Sequence, residues 1–212
     1  GNIILNSDLT GNVTTTANNQ GILTTTGNSQ TITGNIGTST SLDLSTLNIG
    51  SATVPTNYSS TTISGDVFAS STVLNNNGTT NSSTLILSNG SDITSTITTA
   101  DSNMGILTLS GSSTITGAVG TNTDKLAQVN SGTNGSSSTI TDNVYAVNVT
   151  NTGTGTTTFK NDLTATNLNV NAGTTNVEDK LTATTTTITT GTGNFNTISG
   201  NTSSNISFTG VG

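Results

Sequence analysis

The chain of 212 residues is poor in the residue types that build most globular cores: 28% are hydrophobic, 3% are aromatic and 6% are charged. This composition excludes a broad three-dimensional core, and the low charge content removes much of the self-repulsion that keeps disordered segments expanded. The net charge of −7 at pH 7 excludes a cationic patch, so we expect no nucleic-acid partner. No apolar run approaches the roughly 20 residues that span a bilayer, so we expect no direct membrane insertion by this segment.

Most residue types that carry active-site chemistry are missing. Without Cys or His, the Ser-His-Asp and Cys-His systems are excluded. We predict no catalytic residues, no metal and no cofactor, because calcium loops and phosphate-binding loops are also absent. Asp162, Glu178 and Asp179 could form the carboxylate pair of a glycosidase, but the repeat described below places lysines beside two of them and favours a structural role. Asp66 and Asp142 are expected to bond their own backbone in turns.

The first part of the chain contains a long repeat. Residues 7–38 resemble residues 91–121, with Asp8 and Asp92 separated by 84 positions. Internal repeats of this kind indicate that each unit stacks on its neighbours.

A second pair of segments resembles each other at a slightly different offset. Residues 62–73 match residues 139–150 at an offset of 77, which indicates loops of variable length on a regular frame. The aligned residues are Val67, Phe68 and Ala69 with Val144, Tyr145 and Ala146. We predict one β-helical segment over residues 1–212, with imperfect repeat blocks 1–84 and 85–155 and a short-coil block 156–212.

The last block has a shorter internal repeat. A shift of 18 positions aligns Phe159 with Val177, Leu163 with Leu181, and Val170 with Ile188. Continued further, it predicts that Val177 aligns with Phe195, Leu181 with about Ile198, and Ile188 with Ile206.

Alternation of apolar and polar residues within each unit indicates strands with one buried face, and Gly-Thr and Asn-Gly pairs between them indicate turns. We predict an all-β fold, a right-handed parallel β-helix (β-solenoid) of about 10–12 coils of roughly 18–22 residues, stacked at about 4.8 Å. Each coil then needs only a few inward side chains, because its neighbours complete the burial. In one coil these are Phe159, Leu163, Leu168 and Val170.

The charged residues of the last block support the same register. The 18-residue step places Lys160 beside Glu178 and Asp162 beside Lys180. Opposite charges on adjacent strands favour one register, although exposed pairs contribute only about 0.2–1 kcal/mol.

The outer surface offers two further hypotheses. Threonine rows repeated from coil to coil would suit ice binding, but residues 182–190 align with 164–172, where most of the threonines do not recur. Threonine as an ordinary exposed strand residue is the better interpretation. A carbohydrate-binding groove would need exposed aromatic residues, and we expect the four Phe residues to lie mostly at inward positions.

Three stretches of the sequence resemble a known family. Residues 105–132, their earlier copy from Gly21, and residues 181–210 resemble the passenger repeats of rickettsial surface autotransporters, of the outer membrane protein A and B or surface cell antigen type. The resemblance covers most of the chain and consists of a repeat style rather than of site residues.

The resemblance implies a passenger segment that is exported through the outer membrane and displayed on the bacterial surface. Lacking a signal peptide and a barrel, the chain is expected to be a fragment of a longer one. Members of the family act as adhesins and as surface-layer proteins, so a host-cell surface protein or glycan is the expected partner. Two alternatives stay open: a carbohydrate-binding or polysaccharide-degrading β-helix, and a self-associating fibre subunit whose open ends pair with the next copy.

Overall fold

The computed structural model confirms the all-β parallel solenoid. Its strands form two parallel sheets that stack as a β-solenoid of about ten coils, at the lower limit of the predicted number. No described residue is helical, and none of the described segments could cross a membrane as a helix. The right-handed sense stays a prediction. The residues that the structure describes are 1–51, 58–76, 81–88, 90–133, 135–189, 192–197 and 200–210.

Each sheet contains ten strands, and every neighbouring pair within a sheet is parallel. The first sheet contains, in spatial order, β1 (Asn2–Leu5), β3 (Ile22–Thr25), β5 (Leu44–Ile49), β7 (Val67–Leu74), β9 (Ile93–Thr99), β11 (Thr114–Thr116), β13 (Ser137–Ile140), β15 (Thr156–Phe159), β17 (Gly173–Val177) and β19 (Gly193–Thr197). The second contains β2 (Leu9–Thr10), β4 (Gln30–Thr33), β6 (Ser60–Ile63), β8 (Thr84–Leu87), β10 (Met104–Leu109), β12 (Leu126–Ser131), β14 (Val144–Asn151), β16 (Leu163–Val170), β18 (Leu181–Thr189) and β20 (Thr202–Thr209).

Inward side chains of successive coils stack in columns that run along the rod. The Leu47 column contains Leu23, Leu47, Thr72, Ile97, Val119, Val144, Leu163 and Leu181. The Ile63 column contains Leu9, Ile32, Ile63, Leu87 and Leu109. The Val67 column contains Val13, Ile36, Val67, Ile93, Ile115, Ile140, Phe159 and Val177. Nearly all of these side chains are fully buried, so a narrow core suffices.

The predicted register of the opening of the last block is confirmed. Residues 18 positions apart pair as expected: Phe159 with Val177, Leu163 with Leu181, and Val170 with Ile188. The four predicted inward residues of that coil, Phe159, Leu163, Leu168 and Val170, are all buried.

The continuation of that register is wrong, because the next step along the chain is longer. Phe195 pairs with Thr175 rather than with Val177. In the other sheet the register partners are Thr186 with Ile206, Ile188 with Phe208, and Leu181 with Thr202. Ile198 lies outside the described residues.

Coil length varies more than the predicted range allows. The paired residues Phe159 and Val177 are 18 positions apart, whereas Ile32 and Ile63 are 31 positions apart. The inward columns nevertheless continue through this longer coil. Pairing also continues through β8 and β15, where the predicted block boundaries fall; those boundaries stay predictions.

The long sequence repeat is displaced around the rod. Ile93 is the repeat equivalent of Leu9, which begins the Ile63 column. Ile93 nevertheless pairs with Val67 and so lies in the Val67 column. Val144, the equivalent of Val67, in turn lies in the Leu47 column. The offset of the long repeat is therefore three coils plus the step to the next column, and equivalent residues face different sides of the solenoid.

Asn and Asp side chains connect successive coils at one turn. The Oδ1 atom of Asn12 accepts a hydrogen bond from the N–H of Asn35 at 2.8 Å, and Oδ1 of Asn35 accepts one from Asp66 at 2.9 Å. Oδ1 of Asp66 accepts a hydrogen bond from the N–H of Asp92 at 3.1 Å, and Oδ1 of Asp92 accepts one from the N–H of Thr114 at 2.6 Å. The expectation that Asp66 bonds its own turn is thus wrong, because its partner lies on the next coil.

Polar residues fill part of the interior and bond one another. Thr61 donates to Thr25 at 2.8 Å, and Thr157 donates to Ser131 at 2.9 Å. Buried hydroxyl groups that find partners in this way cost little to bury. Hydrogen-bonded Thr and Ser therefore replace part of the apolar area that the composition does not provide.

Candidate functional site

The three acidic residues considered for catalysis lie in the stacked turns. Asp162 Oδ1 accepts the N–H of Lys180 at 3.4 Å, so the predicted neighbours meet through the backbone. The N–H of Glu178 donates to the Phe159 carbonyl at 2.8 Å, which places Glu178 beside Lys160 as predicted. Among the described residues no group of three or more His, Cys, Asp or Glu side chains could hold a metal ion.

Two grooves form where long strands bend. At each bend an inward residue with a small side chain lies between two outward residues, and the register with the neighbouring strand is interrupted. In β7 the small residue is Ala69, with a register shift between Phe68 and Ser71. In β18 it is Ala183, with a shift between Thr182 and Thr185.

The lower groove, at the bend of β7, is lined by residues of four successive coils and has a volume of about 270 Å³. Its outward column begins with Phe68, whose register partner is Thr94, followed by Thr116. Phe68 is half-buried and lies between the buried Val67 and Ala69, so its ring is on the outer side of the strand.

The upper groove, at the bend of β18 on the other sheet, has a volume of about 580 Å³, and no aromatic residue among the described ones lines it. Its column begins beside Tyr145, whose register partner is Thr164, followed by Thr182 and Ser203. Tyr145 is half-buried between the buried Val144 and Ala146, as Phe68 is in the lower groove.

Each aromatic residue lies against a glycine of the preceding coil. Gly37 has φ 77° and Gly120 has φ 71°. A Cβ atom at Gly37 would clash with the carbonyl oxygen of Phe68, and one at Gly120 would clash with that of Tyr145. Only glycine fits both constraints, so the backbone passes closely under the aromatic residue and carries no side chain there.

A charged residue borders each groove. In the lower groove Asp43 is fixed from two sides: Oδ1 accepts the N–H of Asn19 at 2.8 Å, and Oδ2 accepts the hydroxyl of Ser70 at 2.8 Å. In the upper groove Lys125 borders the lining threonines. The lower groove is therefore acidic at its rim and the upper one basic.

Outward polar side chains differ in whether they take part in hydrogen bonds between coils. On the flat faces some do, as Asn167 with Asn148 at 2.9 Å and Gln128 with Thr150 at 2.9 Å, whereas the described hydroxyls of Thr62 and Thr84 make none. In the lower groove Thr96 donates to the Ser70 carbonyl at 3.1 Å. Four other outward groove threonines make no hydrogen bond through their hydroxyls within the described part of the chain. These residues are Thr94, Thr116, Thr164 and Thr182.

The expectation that the Phe residues lie mostly at inward positions holds for three of the four. Phe159 is buried, and Phe195 and Phe208 pair with the buried Thr175 and Ile188. Phe68, the exception, is the residue that lines the lower groove. The alignment of Phe68 with Tyr145 in the internal repeat is the sequence signal that could have indicated this site.

Comparison with known proteins gives no relative: no family model, no curated protein and no solved structure matches the chain.

Proposed function

We propose that this chain is a non-enzymatic segment of a bacterial cell-surface protein, a β-helical rod displayed outside the outer membrane that acts in host-cell adhesion or as a surface-layer coat. The observation that supports it best is the rod itself: about ten coils, held by inward columns, present polar faces of Thr, Ser and Asn. Stiff repeat stacks of this kind serve as extended surfaces for contact. The bacterial location comes from the resemblance in repeat style.

The first experiment tests display. Antibodies raised against the folded chain should label intact source cells, and added protease should remove the label before lysis. Labelling that requires lysis would overturn the proposed location.

The second experiment tests adhesion. Beads that carry many copies of the chain should bind host cells more strongly than the monomer does, because many weak contacts act together. Beads that carry the unfolded Leu163→Asp variant are the control, since Leu163 is fully buried and its replacement by a charge should prevent stacking. Equal binding by both kinds of bead would contradict adhesion by the folded rod and leave the coat role.

A further inference from the structure

We infer that the two bend grooves are binding sites for a linear, uncharged oligosaccharide that lies along the rod axis. This inference rests on the adhesive part of the proposed function and names the chemistry of its partner.

The first argument is the combination of side chains. A pyranose ring has an apolar C–H face, which packs on an aromatic ring, and a rim of hydroxyl groups, which needs hydrogen-bond partners. The lower groove offers Phe68 followed by the unengaged hydroxyls of Thr94 and Thr116. The same order, aromatic and then two threonines, recurs beside the upper groove.

The second argument is spacing. Stacked coils present equivalent side chains about every 4.8 Å along the axis, a distance comparable to one pyranose residue in an extended chain. An oligosaccharide parallel to the axis can therefore place one sugar on each coil. A chain lying across the rod would instead leave the groove after one strand.

The third argument is charge. The protein carries a net charge of −7 with only three cationic side chains, which disfavours an acidic polysaccharide. Asp43 is already oriented by Asn19 and Ser70, and its remaining lone pairs can accept hydrogen bonds from sugar hydroxyls. An uncharged saccharide suits both the acidic and the basic rim.

A purely structural role explains only half of the arrangement. An aromatic side chain that covers a close-packed glycine is a known way to stabilise a sheet, and it accounts for Phe68 over Gly37 and Tyr145 over Gly120. It does not account for the open groove of about 270 Å³ beside Phe68, or for the lining of that groove by Thr94 and Thr116.

The test is a titration of the purified chain with cellohexaose and chitohexaose, with heparin as the anionic comparison. We expect the uncharged probes to bind at micromolar to millimolar concentration and heparin not to bind. Phe68→Ala should weaken binding at the lower groove about tenfold and leave the upper groove unchanged, so the titration should resolve one weakened site and one unchanged site. Phe68→Tyr should retain both. The Thr94→Val/Thr116→Val double variant keeps the side-chain shape and should weaken binding about three- to tenfold.

The matched control is Ile86→Thr. Ile86 is outward and half-buried but lies outside both grooves, and its register neighbours Thr62 and Thr108 show that threonine fits there. This variant should bind like the parent chain, and circular dichroism should show all variants folded.

Three results would overturn the inference: no binding of either uncharged probe, binding of heparin alone, or unchanged binding by the valine double variant. The cell-adhesion assay keeps the two proposals separate. If coated beads still bind cells while the probes fail, adhesion stands and the saccharide sites fall.

Discussion

At the scale of single residues, glycine allows the backbones of successive coils to approach closely. Gly37 combines a left-handed φ with a backbone oxygen where a Cβ atom would lie, whereas Gly135, with φ 70°, has open space at that position. We predict that Gly135→Ala costs about 1–2 kcal/mol of the free energy of unfolding, from backbone strain alone. Gly37→Ala should cost about 1–3 kcal/mol more, because Phe68 or its strand must move.

Urea unfolding of the two variants, followed by circular dichroism, measures both costs. Equal losses would contradict the close approach of Gly37 and Phe68.

A second residue-scale prediction concerns the turn ladder. Asp92 Oδ1 accepts the N–H of Thr114 on the next coil, and an Asn side chain offers the same oxygen. Asp92→Ala should therefore lower the free energy of unfolding by about 1 kcal/mol, as for the loss of one hydrogen bond, while Asp92→Asn should cost much less. Thermal unfolding of both variants checks this, and equal losses would show that the negative charge matters rather than the acceptor.

At the scale of strands and coils, the inward columns determine stability. Phe159 is 1% exposed, between Ile140 and Val177 in the Val67 column. Phe159→Ala should lower the free energy of unfolding by about 3–5 kcal/mol, because it leaves a cavity that the neighbouring coils cannot fill. Phe208 is 69% exposed, so Phe208→Ala is the matched control and should change the unfolding midpoint little. A comparable loss in both variants would contradict the column.

The strands also show what sequence alone can predict. The register around Phe159 and Leu163 was predictable because the same offset of 18 positions applies to both strands of that coil, so it aligns every inward residue. The residues of the lower groove could not be predicted in this way, because Phe68 and Thr94 are 26 positions apart while Thr94 and Thr116 are 22 apart. No single offset aligns these three residues, and their common column appears only when the backbone pairing is known.

At the scale of the whole molecule, both ends of the described rod expose apolar side chains. Ile4 in β1 is 70% exposed and Phe208 in β20 is 69% exposed, each on a strand with one unpaired edge. Such edges attract further strands, and a head-to-tail contact between two different ends produces open filaments rather than closed rings. We predict that the purified chain associates as its concentration rises.

Light scattering across a concentration series measures this association, and Phe208→Ser should reduce it. Ser207→Ala changes the neighbouring residue of the same strand and serves as the control. A parent chain that stays monomeric at every concentration would exclude assembly through its ends.

The displacement of the long repeat by one column has a geometric consequence. Because equivalent segments lie on different sides of the rod, Phe68 and Tyr145 are related by a screw operation, a translation along the axis combined with a rotation about it. If copies of the block followed one another along the rod, equivalent surface features would lie on a helical path around its axis. Such a rod meets a flat partner equally well from several directions, whereas a rod with an integral number of coils per repeat would have a front and a back.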